Sequence, residues 1–361
     1  MTSHSTTRAP ALGGVPRTIV ARPRTRAWRL GVAGVVVAVA AAVVGIVLGT
    51  VPIPLGDSLA VLVDHVVPGT ASTVTPATDA IVWDLRVPRV LTALVVGAAL
   101  AVAGATFQGL LRNPLADPYV LGTASGAALG AAIAVLLPVR FVVAGFGLVQ
   151  ALAFAGAMIA VTAVYRVSRI GGLSALTSLL LTGYAVGSLL AAGLAMAMYL
   201  SGAALRSIFA FLLGGFEASS WERLGGVLPL IVIGTVLIAL RARSLNALLL
   251  GEETAMHLGI DVGRERAILL ALASLVTAAA VTAAGLIGFV GLVVPHVVRL
   301  LVGPNARAVV PLSALWGANL MLLSDIVARV VGDVPVGVVT ALIGAPFFLA
   351  ILRTARTGYE L

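Results

Sequence analysis

Two residue types are missing from this chain of 361 residues. It has no cysteine, which excludes disulfides, thiolate metal sites, iron–sulfur clusters and cysteine nucleophiles. It also has no lysine, because all 23 basic residues are arginine. A P-loop needs a lysine to hold nucleotide phosphates, so this chain cannot hydrolyse ATP by that route. A lysine Schiff base is excluded for the same reason.

Charged residues of any kind are scarce. They make up 10% of the chain, whereas hydrophobic residues make up 60% and the mean hydropathy is +1.12. Soluble domains are about half apolar and about a quarter charged, so the composition indicates a membrane protein. The net charge is 23 − 14 = +9. Because the arginines flank apolar runs and are not interleaved with aromatic residues, we predict no nucleic-acid partner.

Ten apolar runs approach the ~20 residues that cross a bilayer as a helix. We therefore predict an all-α membrane protein of about ten transmembrane helices. Residues 1–29 are predicted to be a disordered basic cytoplasmic tail, 30–353 the transmembrane domain and 354–361 a cytoplasmic tail. The first run is too long for a signal peptide and has no cleavage site after it, so we interpret it as an uncleaved helix. The predicted spans are 30–48, 88–107, 118–137, 142–165, 174–199, 224–240, 267–284, 286–301, 308–329 and 335–352.

The arginines set the predicted orientation. With the N-terminus inside, 17 arginines fall in inside segments and 6 in outside segments, which accounts for all 23. This bias follows the positive-inside rule and predicts that both termini are cytoplasmic. Two connections are longer than a turn requires, namely 50–85 outside and 241–266 inside. Long connections in a compact domain are often functional.

The chain contains a weak internal repeat. A Gly104–Leu115 segment and a Gly288–Arg299 segment each precede a span rich in small residues, and both run from outside to inside. Glycine and proline at corresponding places in two halves are typical of transporters, so we predict two related halves. Shared compositional bias is the alternative.

Motifs for catalysis and metal binding are absent from the sequence. The four histidines form no HExxH or facial triad, and Asp325 is the one acid well inside a predicted span, so an intramembrane dyad is not available. Asp325 and Arg329, four residues apart, are expected to pair on the helix surface; alternatively, Arg329 points to a partner. Polar or helix-breaking residues within spans either tie helices together or line a pathway. The candidates are Gln108, Asn113, Pro114, Pro295 and His296.

Four blocks in order carry a resemblance to a known family. They are Arg86–Gly126, with its Arg112-Asn-Pro-Leu-Ala-Asp-Pro118 motif; Leu250–Gly259; Gly285–Arg299; and Ser324–Arg329 followed by Pro335–Pro346. The chain from about residue 30 onward resembles the FecCD family, the permeases of ABC importers for iron–siderophore complexes, haem and vitamin B12. The arginine-rich tail is not covered by the resemblance.

The resemblance implies a ten-helix subunit in the bacterial cytoplasmic membrane that has no ATPase site or cofactor of its own. It implies a homodimer, or a pair with a paralogue, surrounded by membrane lipid, with the path at the subunit interface. ATPase subunits would bind inside and a substrate-binding protein outside. The absence of lysine agrees with this division of labour, because energy has to come from another chain.

Residue roles follow from the matching blocks. Arg86, Arg89 and Arg329 resemble the arginines that dock acidic residues of the binding protein, and all three fall outside in the topology set by charge. The 241–266 loop resembles the ATPase-coupling segment, in which glycines separate short helices. Its expected coupling residues are Leu250, Gly251, Glu252, Glu253, Ala255, Leu258 and Gly259.

Three hypotheses of function follow. The first is an ABC importer permease, with ferric siderophore as the default cargo and haem or cobalamin as alternatives. The second is an ion-coupled secondary carrier, which needs ionisable groups in the membrane and has only Asp325. The third, an intramembrane enzyme, lacks the necessary residues.

Overall fold

The computed structural model describes residues 23–49, 51–67, 74–139, 142–143, 146–168 and 175–356. Most of the predicted N-terminal tail, residues 1–22, and the last five residues, 357–361, lie outside this part. Within it, a two-residue antiparallel pair, β1 (Val142–Val143) and β2 (Phe146–Gly147), is the one sheet. The helices are α1 Pro23–Val47, α2 Leu55–Val66, α3 Pro76–Asp79, a π-helical segment Ala80–Arg86, α4 Val87–Leu110, α5 Thr123–Leu136, α6 Leu148–Ser168, α7 Ala175–Leu200, a 3-10 turn Gly202–Ala204, α8 Leu205–Leu213, α9 Trp221–Leu240, α10 Ala242–Leu250, α11 Glu252–His257, α12 Val262–Ala284, α13 Val290–Val302, α14 Ala306–Val330 and α15 Val336–Arg356.

Each of the ten predicted spans overlaps one of these helices. Seven helices of the described chain are long and apolar enough to cross a bilayer. The other three predicted spans, α5, α13 and α15, are shorter apolar helices or have shorter apolar stretches. Several bounds differ. Helix α1 begins at Pro23 rather than Leu30, and α15 continues to Arg356. Helix α5 begins at Thr123 rather than at 118, and α6 begins at Leu148 because the β1–β2 pair occupies the start of the predicted 142–165 span. Residues 23–29 of the predicted tail are therefore helical, and a proline in the first turn of a helix is well tolerated.

Helix α4 is the centre of the fold. Most of its residues are buried, and it packs against α9, α12, α13 and α14. Glycine permits the closest approaches. A Cβ at Gly97 would lie 2.5 Å from the Met321 Cβ on α14, and one at Gly104 would lie 2.7 Å from the Gly291 Cα on α13. Small residues thus let these backbones touch, as in other membrane bundles.

A second close-packed group joins α5, α6 and α7. A Cβ at Gly126 would lie 2.8 Å from both the Ala160 Cβ and the Gly156 carbonyl carbon on α6. The small residues that repeat along α5 therefore serve helix packing, which is the ordinary role of such strings.

The two groups of arginines that were assigned to opposite sides lie at opposite ends of α4. Arg86 and Arg89 are at its N-terminal end, and Arg112 follows its C-terminal end. The two repeat segments, Gly104–Leu115 and Gly288–Arg299, also lie in contact, because the second half of α4 packs directly on α13. The fold thereby creates an outer site around Arg86 and an inner site around Arg112.

Candidate functional site

At the outer end, two arginines from two helices converge on one carboxylate. Arg89 on α4 donates from Nε and Nη2 to Asp325 Oδ1 at 3.0 and 2.8 Å. Arg329, one turn beyond Asp325 on α14, places its Nη2 3.0 Å from Oδ2. Asp325 is fully buried. A buried carboxylate needs such charged donors, because an unpaired charge in a low dielectric is very unfavourable.

Arg329 and a third arginine, Arg86, hold the end of α1. Arg329 Nη1 donates to the carbonyls of Gly45 and Leu48 at 2.8 and 3.0 Å. Arg86 Nη1 donates to the carbonyls of Ile46 and Val47 at 2.8 and 2.7 Å. The last carbonyls of a helix have no intrahelical partner and carry partial negative charge. The guanidinium groups therefore cap α1 and join it to α4 and α14.

One expectation for this site changes. The Asp325–Arg329 pair forms as expected, but it is buried and not on the helix surface, because Arg89 reaches Asp325 from the neighbouring helix. The Arg329 side chain turns towards α1 and is 7% exposed, and its role towards a partner stays a prediction. No local pattern indicated that Asp325 would pair with Arg89, because the two residues are 236 positions apart.

The inner half of α4 is tied to α13 at a proline. Pro295 has no N–H, so it leaves the carbonyl of Gly291, four residues earlier, without its helical partner. The Gln108 amide donates to that carbonyl at 3.4 Å and to the Leu292 carbonyl at 3.0 Å. Arg299 in turn donates to Gln108 Oε1 at 2.8 Å. Gln108 and Pro295, both pathway candidates, thus form one buried helix-to-helix contact.

The other three pathway candidates occupy different positions. His296 lies beside this contact on α13, and its Nδ1 is buried without a hydrogen-bond partner in the described chain. Asn113 and Pro114 are exposed in the turn that follows α4, where Asn113 accepts a bond from the Leu115 N–H at 2.9 Å. The structure therefore unites Gln108, Pro295 and His296 but not Asn113 and Pro114.

The turn after α4 contains a second tie that sequence analysis missed. The Tyr119 hydroxyl donates to the Ile287 carbonyl at 3.0 Å and accepts from the Ile287 N–H at 3.2 Å. It thus satisfies the backbone in the break between α12 and α13. Nearby, the Asp117 carboxylate accepts the Tyr119 N–H at 2.8 Å. Burial raises the pKa of Asp117 to about 6, and that hydrogen bond opposes the rise.

On the cytoplasmic side, α10 and α11 form the predicted pair of short helices. Gly251 separates them with φ +123°, and Gly259 ends α11 with φ +77°. These backbone angles favour glycine. Within α11, Ala255 is buried, whereas Leu250 and Leu258 on either side of this helix are 70% and 63% exposed.

Ion pairs anchor the α10–α11 unit to the bundle. Arg266 on α12 lies 2.5 Å from Glu252 Oε1, and Arg112 lies 3.8 Å from the same oxygen. Arg112 also donates to the Leu248 carbonyl at 3.0 Å. Glu252, expected to meet a partner, is thus held within the chain, whereas Glu253 is exposed. From the sequence, Arg112 was one of the inside arginines and the first residue of the Arg112–Pro118 motif. Its contact with Glu252 was not predicted, because the two residues are far apart in the sequence.

A large open cavity lies in the outer half of the protein. It is enclosed by the C-terminal ends of α5 and α12, the β1–β2 pair, α8 and the start of α9. Its volume is about 1230 Å³. Its lining is mostly apolar, and Glu217 and Arg223 are its charged residues. None of the five pathway candidates lines it. Polar groups are unusual in membranes, but two of these candidates, Gln108 and Asn113, hydrogen-bond to backbone groups of this chain.

These features define a class: a helical membrane protein with an open outer cavity and a unit of two short helices at its inner end. Comparison with known families makes the assignment narrower. The FecCD transport family matches residues 27–354. The chain belongs to the FecCD family.

Named relatives agree with this. The cobalamin import system permease BtuC of Halobacterium salinarum is 48% identical over 274 residues, covering 76% of this chain and 73% of the relative. The vitamin B12 import permease BtuC of Escherichia coli is 40% identical, covering 78% and 86%. The hemin transport permease HmuU of Yersinia pestis is 39% identical, covering 77% and 85%.

A solved structure supports the same fold. A structure described as an inward-facing conformation of a metal-chelate type ABC transporter matches with a TM-score of 0.78 and 30% identity, covering 90% of this chain and 99% of that one. The chain is therefore a permease of a type II ABC importer and a multi-pass protein of the inner membrane. Subunits of this family move substrate and have no ATPase site of their own.

Proposed function

We propose that this permease carries a corrinoid of the vitamin B12 class into the cytoplasm. The observation that carries the proposal is the outer cavity of about 1230 Å³, whose lining is mostly apolar with one acid and one arginine. Cobalamin is large, rich in neutral amides and nearly uncharged, so a wide path of low charge suits it. The similarity to two cobalamin permeases supports the same cargo.

Ferric siderophore, the default expected from the family, is the second candidate, because the structural match is to a metal-chelate transporter. Haem is third, on the similarity to the hemin permease. Haem carries two carboxylates, which would meet Arg223 as the one basic group of the cavity lining.

Transport in proteoliposomes tests the cargo. The permease would be reconstituted with its ATPase and binding protein, and uptake of cyanocobalamin, haemin and a ferric siderophore compared. We expect ATP-dependent uptake of cyanocobalamin, unaffected by collapse of the proton gradient. Uptake of the siderophore alone would reject the corrinoid but keep the importer. Uptake driven by the proton gradient without ATP would support the secondary carrier instead.

For the outer partner, we propose that the Arg86, Arg89 and Arg329 cluster docks carboxylates of a substrate-binding protein. Three arginines around Asp325 carry a formal net charge of 3 − 1 = +2. Arg89 is the most exposed of the three, at 16% of its side chain, so a carboxylate of the partner would reach Arg89 first, while the buried Arg86 and Arg329 add positive charge behind it. Guanidinium groups suit carboxylate capture.

Single neutral substitutions test docking better than charge reversal, because these arginines also hold α1. Arg89→Gln should weaken binding-protein affinity about tenfold, the order of one charged hydrogen bond, and reduce its salt dependence. Arg206→Gln, an exposed outer arginine on α8, is the matched control. Equal affinities for the two variants would remove Arg89 from the docking surface.

For the inner partner, we propose that the α10–α11 unit docks the ATPase through its exposed apolar tip. Leu250, Met256 and Leu258 are 70%, 57% and 63% exposed. Beside them, a cavity of about 690 Å³ is lined by Leu250, Val302 and Pro304 among others. Exposed apolar patches of this kind mark contact sites.

Leu258→Asp should abolish co-purification of the ATPase while leaving the permease folded, since the side chain lies on the surface. Thr254→Asp adds the same charge to the same exposed helix without removing an apolar contact. If Leu258→Asp keeps the ATPase and transports as well as Thr254→Asp does, the tip is not the coupling surface.

We further propose that a second permease copy packs on α7, with Gln108, Pro295 and His296 shaping the inner end of the path. Tyr184, Leu189 and Tyr199 on α7 are 78%, 72% and 85% exposed. Because the chain has no cysteine, Tyr184→Cys tests this by disulfide cross-linking in membranes. Val36→Cys on α1, also exposed, is the control. Cross-linking at Val36 but not at Tyr184 would place the interface elsewhere.

A further inference from the structure

The outer connection contains an amphipathic helix with an exposed apolar stripe. On α2, the side chains of Leu55, Leu59, Val63 and Val66 follow at helical spacing and so share one face. They are 49%, 46%, 48% and 71% exposed. Four large aliphatic side chains in a row on one exposed face indicate a contact surface.

The other faces of α2 differ in chemistry. Ser58 and Val61 are buried and face the rest of the chain. Asp57 and Asp64 lie about half a turn away from Leu55 at about 100° per residue. The helix therefore has an inward face, an apolar stripe and an acidic side opposite the stripe. Opposed apolar and charged faces are the pattern of a helix that lies in a membrane interface.

The first end of α2 is fixed at the level where α1 leaves the membrane. Arg86 donates from Nη2 to the Val51 carbonyl and from Nη1 to the Ile46 and Val47 carbonyls at the end of α1. Only residues 52–54 separate Val51 from Leu55, so the two residues are at most about 14 Å apart along an extended chain. The headgroup layer on each side of a bilayer is about 5–8 Å deep.

The other end is tied to the same level. His65 stacks on Trp83, with ring centroids 4.1 Å apart and an interplanar angle of 4°, and its Nε2 lies 3.0 Å from Asp79 Oδ1. Trp83 precedes Arg86 by less than one helical turn. Both ends of a helix about 18 Å long are thus held near Arg86, so α2 runs along the membrane surface and not away from it.

Exposed apolar residues also lead along the chain from α1, a helix long and apolar enough to cross a bilayer, to the stripe on α2. Helix α1 exposes Val35, Val39 and Val43 along its length, and Leu48 and Val51 extend this exposed surface to the start of α2, at 41% and 48%. Trp221 donates to the Trp83 carbonyl at 2.9 Å beside the stacked ring, and tryptophan is typical of the membrane–water interface.

We propose that α2 is an interfacial helix whose stripe of Leu55, Leu59, Val63 and Val66 inserts into the outer leaflet, at the boundary between headgroups and acyl chains. Binding of α2 to the lipid surface would fix the depth of Arg86 and the outer arginine cluster relative to the bilayer. The proposal does not depend on the cargo or on any soluble partner.

Labelling of single cysteines tests it, since the native chain has none. Leu59→Cys and Asp57→Cys would each carry an environment-sensitive fluorophore, in the full-length permease in phosphatidylcholine liposomes. We expect the label at Leu59 to be quenched by spin-labelled lipids, with the spin label near the top of the acyl chain, about threefold more than the label at Asp57. Aqueous iodide should show the reverse order.

Equal iodide quenching at the two positions would overturn the proposal. So would a Leu59–Leu59 disulfide cross-link between two copies, because the stripe would then cover a second chain. Val63→Cys, on the same stripe, carries the same expectation if Leu59→Cys lowers the yield of folded protein.

Discussion

Replacement of Gly104 by alanine tests the close packing between α4 and α13. A Cβ at this position would lie 2.5 Å from the carbonyl carbon and 2.7 Å from the Cα of Gly291, and it would clash with the Gly291 carbonyl oxygen. Ordinary carbon–carbon contacts are about 3.5–4.0 Å. The two helices would therefore have to separate by about 1 Å, and the backbone cannot yield as a flexible side chain can.

Separation would also stretch the contacts one turn further along. The Gln108 bond to the Leu292 carbonyl is 3.0 Å and the Arg299 bond to Gln108 is 2.8 Å. Overpacking costs about 1–3 kcal/mol, and each weakened hydrogen bond adds about 1 kcal/mol. Alanine gains about 0.5–1 kcal/mol over glycine in a helix. The expected net loss in free energy of unfolding is about 2–4 kcal/mol.

Gly225→Ala is the matched control, because Gly225 lies in α9 and a Cβ there meets nothing within 4 Å. Unfolding of both variants would be followed by heating in nanodiscs. We expect Gly225→Ala to be neutral or slightly stabilising and Gly104→Ala to unfold at a clearly lower temperature. Equal unfolding temperatures would refute the argument that glycine at 104 is required by backbone contact.

Two further predictions concern buried carboxylates. Asp325→Asn should lower the free energy of unfolding by about 3–5 kcal/mol, as when one partner of a buried ion pair is removed. Asp333→Asn is the control, because Asp333 is exposed at the same end, and it should have little effect in the same nanodisc assay. Similar losses for the two variants would contradict the central role of Asp325. Burial raises the pKa of Asp117 to about 6, whereas its pKa in the unfolded chain is about 4. The stability that this carboxyl group contributes is therefore fully present below pH 4 and is lost as the pH rises through 6. Asp117→Asn should therefore raise the unfolding temperature at pH 7 and lose that advantage near pH 4; a gain that is the same at both pH values would contradict the assigned burial.

Much of the fold was predictable from local composition. A helix that crosses lipid must satisfy its own backbone hydrogen bonds, so a run of apolar residues of the right length is enough to place it. The bounds were less accurate at α1, where the apolar run begins at Leu30 but the helix begins at Pro23. Arginine and tryptophan can continue a helix beyond the hydrocarbon layer, and hydropathy does not detect them.

The candidate site was predictable only in part. The glycines at 251 and 259 indicated short helices at the inner loop, because positive φ is a local property of the chain. The partners of Arg89, Gln108 and Glu252 were not predictable from local sequence, since these residues find Asp325, the Gly291 carbonyl and Arg266 through packing. Their roles as docking, pathway and coupling residues remain predictions.

Sequence alone determined the class of this protein. The absence of lysine excludes a P-loop, the hydropathy places the chain in a membrane, and motifs spread over most of its length indicate a FecCD permease. Tertiary structure decided what the polar residues do. Asp325 pairs with Arg89 and with Arg329, which also caps α1, and Gln108 donates to the carbonyl that Pro295 leaves free. The reason is physical, because in lipid each buried polar group must find a partner, and which partner it finds depends on the helices that pack beside it.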